Sequence, residues 1–344
     1  MKILFTGKSK LDYNRVLVLK AGLKKVDNTE VIEFKLKKGD ASNLKQLQDL
    51  DKKVDFIYIP PMRHSDVSYV KKHTSSPVVF DPLISKYLTK ADYGHFWKLP
   101  IKYFLDKIPF DRADILLTDT KAHREYFIKK FNLSPNKVKP LYIGADTQVF
   151  TRQNHVEDKR EKFTVGFYGS FIPLQGTDKI VKTAQCLESY PDIIFEMIGS
   201  GPTLKNAKKM VKEYKLSNIN FHGKVSYEKL ASRINNFDLC LGIFGDSKKT
   251  DMVIPNKVYH YAAIGKCIVT KNTAGIKEVF TNNKNIALCI NSPKEIANQI
   301  LALKENASYR NELGKEAGKT LHNQYNELSI AKKFLAILEN YKRH

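Results

Sequence analysis

A chain of 344 residues exceeds one ordinary core and is about right for two α/β domains. Its 42% hydrophobic and 27% charged residues, with no run near the roughly 20 apolar residues of a membrane span and no signal-peptide pattern, describe a soluble, cytoplasmic globular protein. The net charge of +22 rests on 49 Lys against 9 Arg, which disfavours nucleic acid as a partner; the lysine clusters at 20–25, 35–38, 52–53 and 71–72 suit an anionic membrane surface or simply solvate helix faces.

Short runs rich in β-branched or aromatic residues predict strands at 2–5, 31–34, 56–59, 78–80, 115–118 and 138–142. Helical spacing of apolar positions predicts helices at 14–25 and 121–131. This alternation implies a mainly parallel sheet covered on both faces, forming a first domain over 1–150. Residues 151–162 are polar and lack periodicity, so they read as a linker. The alternation restarts with strands at 164–168, 193–198, 219–221, 239–243, 267–270 and 287–290, giving a second domain over 163–328. A final amphipathic helix in 329–344, with Ser329 as its cap, can pack on either domain. Cys186, Cys240, Cys267 and Cys289 lack CxxC spacing and lie in apolar segments, so they read as buried thiols without a metal.

Ligands of open parallel sheets bind beyond the carboxyl ends of strands. Three such loops stand out in the second half. Gly169-Ser170-Phe171-Ile172-Pro173-Leu174-Gln175-Gly176 and Gly199-Ser200-Gly201-Pro202 each follow a strand with glycine turns, and such turns suit a phosphate or simply a tight bend. The third ends in Ile254-Pro255-Asn256-Lys257, where Pro255 suits the first turn of a helix running to Gly265. That helix would turn its positive end, with Lys257, toward a diphosphate.

These segments, with Leu116-Leu117-Thr118-Asp119 and Tyr142-Ile143-Gly144-Ala145-Asp146 in the first half, resemble retaining glycosyltransferase family 4. The resemblance covers nearly the whole chain. It implies the GT-B fold, α/β with two tandem Rossmann-like domains facing across a cleft. It also implies a nucleotide-sugar donor held by the second domain and an acceptor, a glycan or a lipid-linked sugar, held by the first. No metal and no cofactor beyond that co-substrate are implied. Family members carry two glutamates where this chain has Met252 and His260, and a basic pair where it has Ser170 and Gln175. His260 would take over the ribose contact, or it is simply a helix histidine; Lys257, Lys179 and the helix N-terminus would replace the basic pair. The turn Phe221-His222-Gly223-Lys224-Val225 resembles the loop whose backbone receives the nucleotide base, or is simply the end of a strand.

In the first half, Gly7 and Arg15 resemble the family's first loop and helix start. Arg15 would reach the donor phosphates or lie on the surface as an ordinary arginine. Asp81 and His64 follow strands and could take the acceptor proton, although Asp81 also suits a helix cap. Tyr93, Phe96 and Trp97 could stack on a sugar, enter lipid or pack. The reading is a retaining, metal-independent glycosyltransferase of polysaccharide or lipopolysaccharide type, peripheral on the inner face of the membrane. A non-catalytic nucleotide-sugar-binding partner is the main rival. A nucleotide-sugar epimerase follows, weakened by Met252 and His260.

Overall fold

In the computed structural model, which describes residues 1–8, 12–153 and 161–343, the apolar runs become twelve strands in two sheets. The chain divides into two units, Met1–Asp146 with Tyr325–His344, and Thr147–Gln324. Most of the expected linker, residues 154–160, lies outside the described residues.

The first unit contains β1 (Lys2–Gly7), β2 (Glu30–Lys35), β3 (Phe56–Ile59), β4 (Val78–Phe80), β5 (Ile115–Thr118) and β6 (Val138–Pro140). Their order is β2-β1-β3-β4-β5-β6, and every pair is parallel. All residues of β3, β4 and β5 are buried, as expected when helices cover both faces. Ile57, Phe80 and Leu116 share a core with Phe110, Phe127 and Phe131 from the covering helices.

The C-terminal helix, Glu327–Lys342, belongs to this first unit. Its cap is Asn326, whose side chain accepts from the Ser329 amide; Ser329 therefore lies inside the helix and is not the cap. The helix packs on Asn14–Leu23 so closely that a Cβ at Gly22 would stand 1.9 Å from the Glu327 carbonyl oxygen.

The second unit contains β7 (Phe163–Tyr168), β8 (Ile193–Ile198), β9 (Ile219–Phe221), β10 (Leu239–Leu241), β11 (Ile268–Lys271) and β12 (Ala287–Cys289). Their order is β12-β11-β10-β7-β8-β9, again with every pair parallel. The chain winds outward from β7 to β9 and then restarts beside β7 with β10. The strand order therefore reverses between β7 and β10, the place at whose carboxyl ends open α/β sheets hold their ligands. Phe150, expected at the end of the first domain, belongs to this unit and stacks on His260. Cys240, Cys267 and Cys289 are buried free thiols, whereas Cys186, near the end of a helix, is exposed and departs from the expected burial.

Candidate functional site

The reversal point between β7 and β10 holds an unusual cation. Lys257 sits in the first turn of the helix Asn256–Ile264, and Pro255 is the N-cap in extended conformation, one position before the helix rather than inside its first turn. The lysine side chain is buried. Its Nζ donates to Gln175 Oε1 at 2.5 Å, approaches the Gly242 carbonyl at 3.4 Å, and lies 3.5 Å from the centre of the Phe167 ring. Phe167 is on β7, Gln175 follows β7, and Gly242 follows β10. Among the described residues no carboxylate pairs with this ammonium, and burial pushes its pKa well below the ordinary lysine value. Lys257 thus brings its amine to Gln175, one of the two positions where the resemblance implies a basic residue. Ser170 is exposed, and Lys179 is paired with Asp246 at 2.5 Å.

Three helices bordering these loops, Thr177–Cys186, Leu204–Glu213 and Asn256–Ile264, begin without a side-chain cap. By contrast, Ser247, Thr273 and Ser292 cap other helices of the same unit. Uncapped first-turn amides leave donors and a positive dipole end for an anion.

The glycines of the first two loops also serve packing. The Phe171 amide donates to the Ser200 carbonyl at 2.9 Å, and the Thr203 amide donates back to Phe171 at 3.0 Å. A Cβ on Gly199 would stand 1.9 Å from the Gly169 carbonyl oxygen, and one on Gly201 would stand 2.5 Å from that of Phe171. Gly199 and Gly201 are therefore required by loop-to-loop contact, before any ligand is considered. Gly176, with φ of 64°, starts the helix Thr177–Cys186 against the backbone of Phe244. In the turn after β9, Lys224 is exposed, Val225 is half-buried, and the Gly199 amide donates to the Gly223 carbonyl. Asn256 is half-buried and Ile254 fully buried beside Lys257.

His260 is not an open ribose contact. Its imidazole is buried and stacked on Phe150 at 3.6 Å between ring centres, with Nδ1 2.5 Å from the Tyr168 hydroxyl. Burial lowers its pKa to about 3, so the ring is neutral at physiological pH. Met252, at the other glutamate position of the resemblance, is also buried. Tyr168 and Phe150 were missed by sequence reasoning, which has no local signal for a ring 92 residues from its partner.

The first unit corrects three expectations. Arg15 is fully buried, neither a phosphate arm nor a surface residue: its Nε donates to Asp81 Oδ2 at 2.7 Å, and the Tyr58 hydroxyl donates to the same oxygen at 2.8 Å. Asp81 is consequently sealed from solvent and caps no helix, since Ser85 caps Lys86–Asp92. Desolvation and the neighbouring Asp81 carboxylate raise the Tyr58 pKa well above its ordinary value. His64 is also buried, between Phe80 and Phe110, with Nε2 3.2 Å from Asp106 Oδ1. Asp106 in turn accepts from Ser85 Oγ and from the amides of Lys86 and Tyr87, which anchors that helix start. A further buried pair, Asp119 with His123 at 2.6 Å, follows β5, and its i,i+4 spacing was legible in the sequence. Gly7, buried at the end of β1, packs near Pro60 and Arg63. No group of three or more His, Cys, Asp or Glu among the described residues could hold a metal ion.

Two parallel six-stranded sheets, each with helices on its faces and one carrying a buried lysine at its reversal point, define a Rossmann-like α/β protein. The family model for glycosyl transferases group 1 matches residues 149–320, half of the chain, and the chain belongs to that family. An uncharacterized glycosyltransferase of Methanocaldococcus jannaschii, MJ1069, is 26% identical over 254 residues, covering 71% of this chain and 64% of the relative. A second from the same organism, MJ1178, is 25% identical over 167 residues, covering 46% and 43%. The chain therefore spans less than two thirds of the length of these curated relatives.

The crystal structure of HepE from Anabaena in complex with UDP and glucose is similar with a TM-score of 0.77 at 16% identity, covering 99% of this chain and 100% of that one. Sucrose-phosphate synthase from Thermosynechococcus elongatus gives 0.77 at 12% identity, covering 100% and 99%. At such identities the likeness concerns the fold, which is the GT-B glycosyltransferase fold.

Proposed function

We propose that this protein transfers a sugar from a nucleotide-sugar donor to a glycan or lipid-linked acceptor, with retention at the anomeric carbon and without a metal ion. The observation that carries the donor reading is Lys257, a buried ammonium without a carboxylate partner among the described residues, at the strand-order reversal of the second unit. An isolated buried cation is costly, and a diphosphate at the uncapped helix starts would supply its counter-charge. As the sugar leaves, negative charge grows on the nucleoside diphosphate. The Lys257 ammonium and the first-turn amides of Thr177–Cys186 and Asn256–Ile264 would stabilise it without reorganising. The base would rest against the turn holding Lys224 and Val225. Retention comes from the family 4 resemblance. The capture of UDP in the HepE crystals is consistent with a nucleotide donor for this fold.

The acceptor reading rests on the resemblance and on the lysine excess, which suits work at an anionic membrane surface. Among the described residues no helix is long and apolar enough to cross a membrane, so contact would be peripheral.

Met252 and His260, buried and non-acidic where the family carries glutamates, favour a second reading, a subunit that binds a nucleotide-sugar without transferring it. A thermal-shift panel of UDP, GDP, ADP, CDP and dTDP tests the donor site, because a ligand of the native state raises apparent stability. A shift with one diphosphate supports the donor site and names the base. No shift with any rejects it. Release of nucleoside diphosphate from the matching nucleotide-sugar with acceptor extract then separates transfer from binding alone.

A further inference from the structure

The most exposed apolar side chains of the first unit lie on one short segment. Phe96 and Trp97, in a single turn at Phe96–Lys98, are 67% and 70% exposed. The helix Leu99–Arg112 continues the row with Ile101 at 65%, Phe104 at 59%, then Leu105 and Ile108. Steps of three and four residues place these four on one helical face. The opposite face buries Asp106, Pro109 and Phe110. Isolated apolar residues on a surface are ordinary, but a contiguous row of six is not.

Charge and position say what this row suits. Residues 86–112 hold six basic and three acidic residues. Of the acids, Asp106 is buried at a helix start and Asp111 is paired with Lys107 at 2.6 Å. Lys98 Nζ lies 5.9 Å from the Trp97 ring centre, where a flexible stem can follow the ring while its charge stays in water. An apolar stripe flanked by lysines, with tryptophan at one end, matches an anionic lipid interface in both hydrophobicity and charge. The helix leads into β5, so it returns toward the amino edge of the parallel sheet. Its Phe96–Trp97 end therefore stands at the carboxyl edge, the edge that carries Asp81 and Asp119.

We propose that the face formed by Phe96, Trp97, Ile101, Phe104, Leu105 and Ile108 docks onto an anionic bilayer and meets a lipid-linked acceptor there. The docking surface stands on the exposed row itself; the acceptor assignment rests on the transferase reading above. The row enters the interfacial region, the lysines contact headgroups, and a membrane-borne acceptor is offered at the carboxyl edge of the first sheet.

Trp97 is the single tryptophan of the chain, so its fluorescence reports this face directly. Titrating the full chain at low salt with phosphatidylglycerol vesicles should shift Trp97 emission to the blue and sediment the protein. Phosphatidylcholine vesicles should do so at least about tenfold more weakly. Ile101→Glu with Phe104→Glu should weaken the phosphatidylglycerol effect about tenfold or more while leaving the thermal midpoint nearly unchanged, because both side chains are mostly exposed. Absence of a blue shift with anionic vesicles, or binding that the double variant leaves intact, overturns the proposal. A blue shift that grows with protein concentration without lipid overturns it in favour of a second copy. Loss of nucleotide-dependent thermal shifts with vesicle binding retained rejects only the donor reading and supports the docking surface.

Discussion

Lys257 Nζ donates to Gln175 Oε1 at 2.5 Å, joining residues 82 positions apart and placing a buried amine between the loops that follow β7 and β10. Burial depresses its pKa well below the ordinary lysine value of 10.5, so the unfolded chain holds a proton that the folded chain binds less readily. Its contribution to stability is therefore least favourable at low pH and rises as pH climbs from the depressed folded pKa toward 10.5. Lys257→Met should be at least as stable as the parent at pH 7, with an advantage that shrinks by pH 10. It should also lose the nucleoside-diphosphate thermal shift. A variant that is less stable at pH 7 yet keeps its shift would reject the anion site.

The Arg15–Asp81 pair makes a second prediction. Both groups are buried, so Arg15→Met or Asp81→Asn leaves one uncompensated charge or an unfilled donor in the core. Each should cost about 3–5 kcal/mol in urea unfolding. Arg15→Met combined with Asp81→Leu should recover much of that loss, because it removes both charges. Single losses under about 1 kcal/mol would show that water reaches the pair.

His260 predicts acid sensitivity. With its pKa lowered to about 3, the folded state refuses a proton that the unfolded state accepts below the ordinary value of 6.5. Stability is thus lost as pH falls through that window, by roughly 2 kcal/mol between pH 6.5 and 5. His260→Phe keeps an aromatic ring against Phe150 and should flatten this dependence. Equal slopes for the two proteins would mean that His260 protonates freely in the native state.

Gly199 and Gly223 separate packing from backbone strain. Both have positive φ, 135° and 67°, but a Cβ meets the Gly169 carbonyl at 1.9 Å in the first case and nothing within 4 Å in the second. Gly223→Ala should cost about 1–2 kcal/mol. Gly199→Ala should cost about 3 kcal/mol or more and weaken nucleotide binding, because the neighbouring loop must move. Equal melting temperatures for the two variants would remove the loop-contact explanation.

Local chemistry was read well where the signal is local. Phe56–Ile59, Val78–Phe80, Ile115–Thr118, Ile193–Ile198 and Ile219–Phe221 are strands over the expected residues, and Lys121–Phe131 is the expected helix. Lys257 is legible in the sequence as a basic residue at a helix start. Its capture by Gln175 is not, because nothing in either segment encodes the other. Arg15 and Asp81 failed for the same reason: polar residues after strands suggest a solvent-facing site, and only their pairing across 66 positions lets the core accept them.

By itself, then, the sequence determined the alternation of strands and helices, the glycine turns and the double-unit plan. These follow from side-chain sterics and periodicity, which act over a few residues. The order of strands, the docking of Glu327–Lys342 on the first unit and the burial of Lys257, His260 and Arg15 were decided only by the tertiary structure. Whether a polar side chain ends in water or in the interior depends on the partners that distant segments bring to it, and the cost of burying it alone makes that choice decisive.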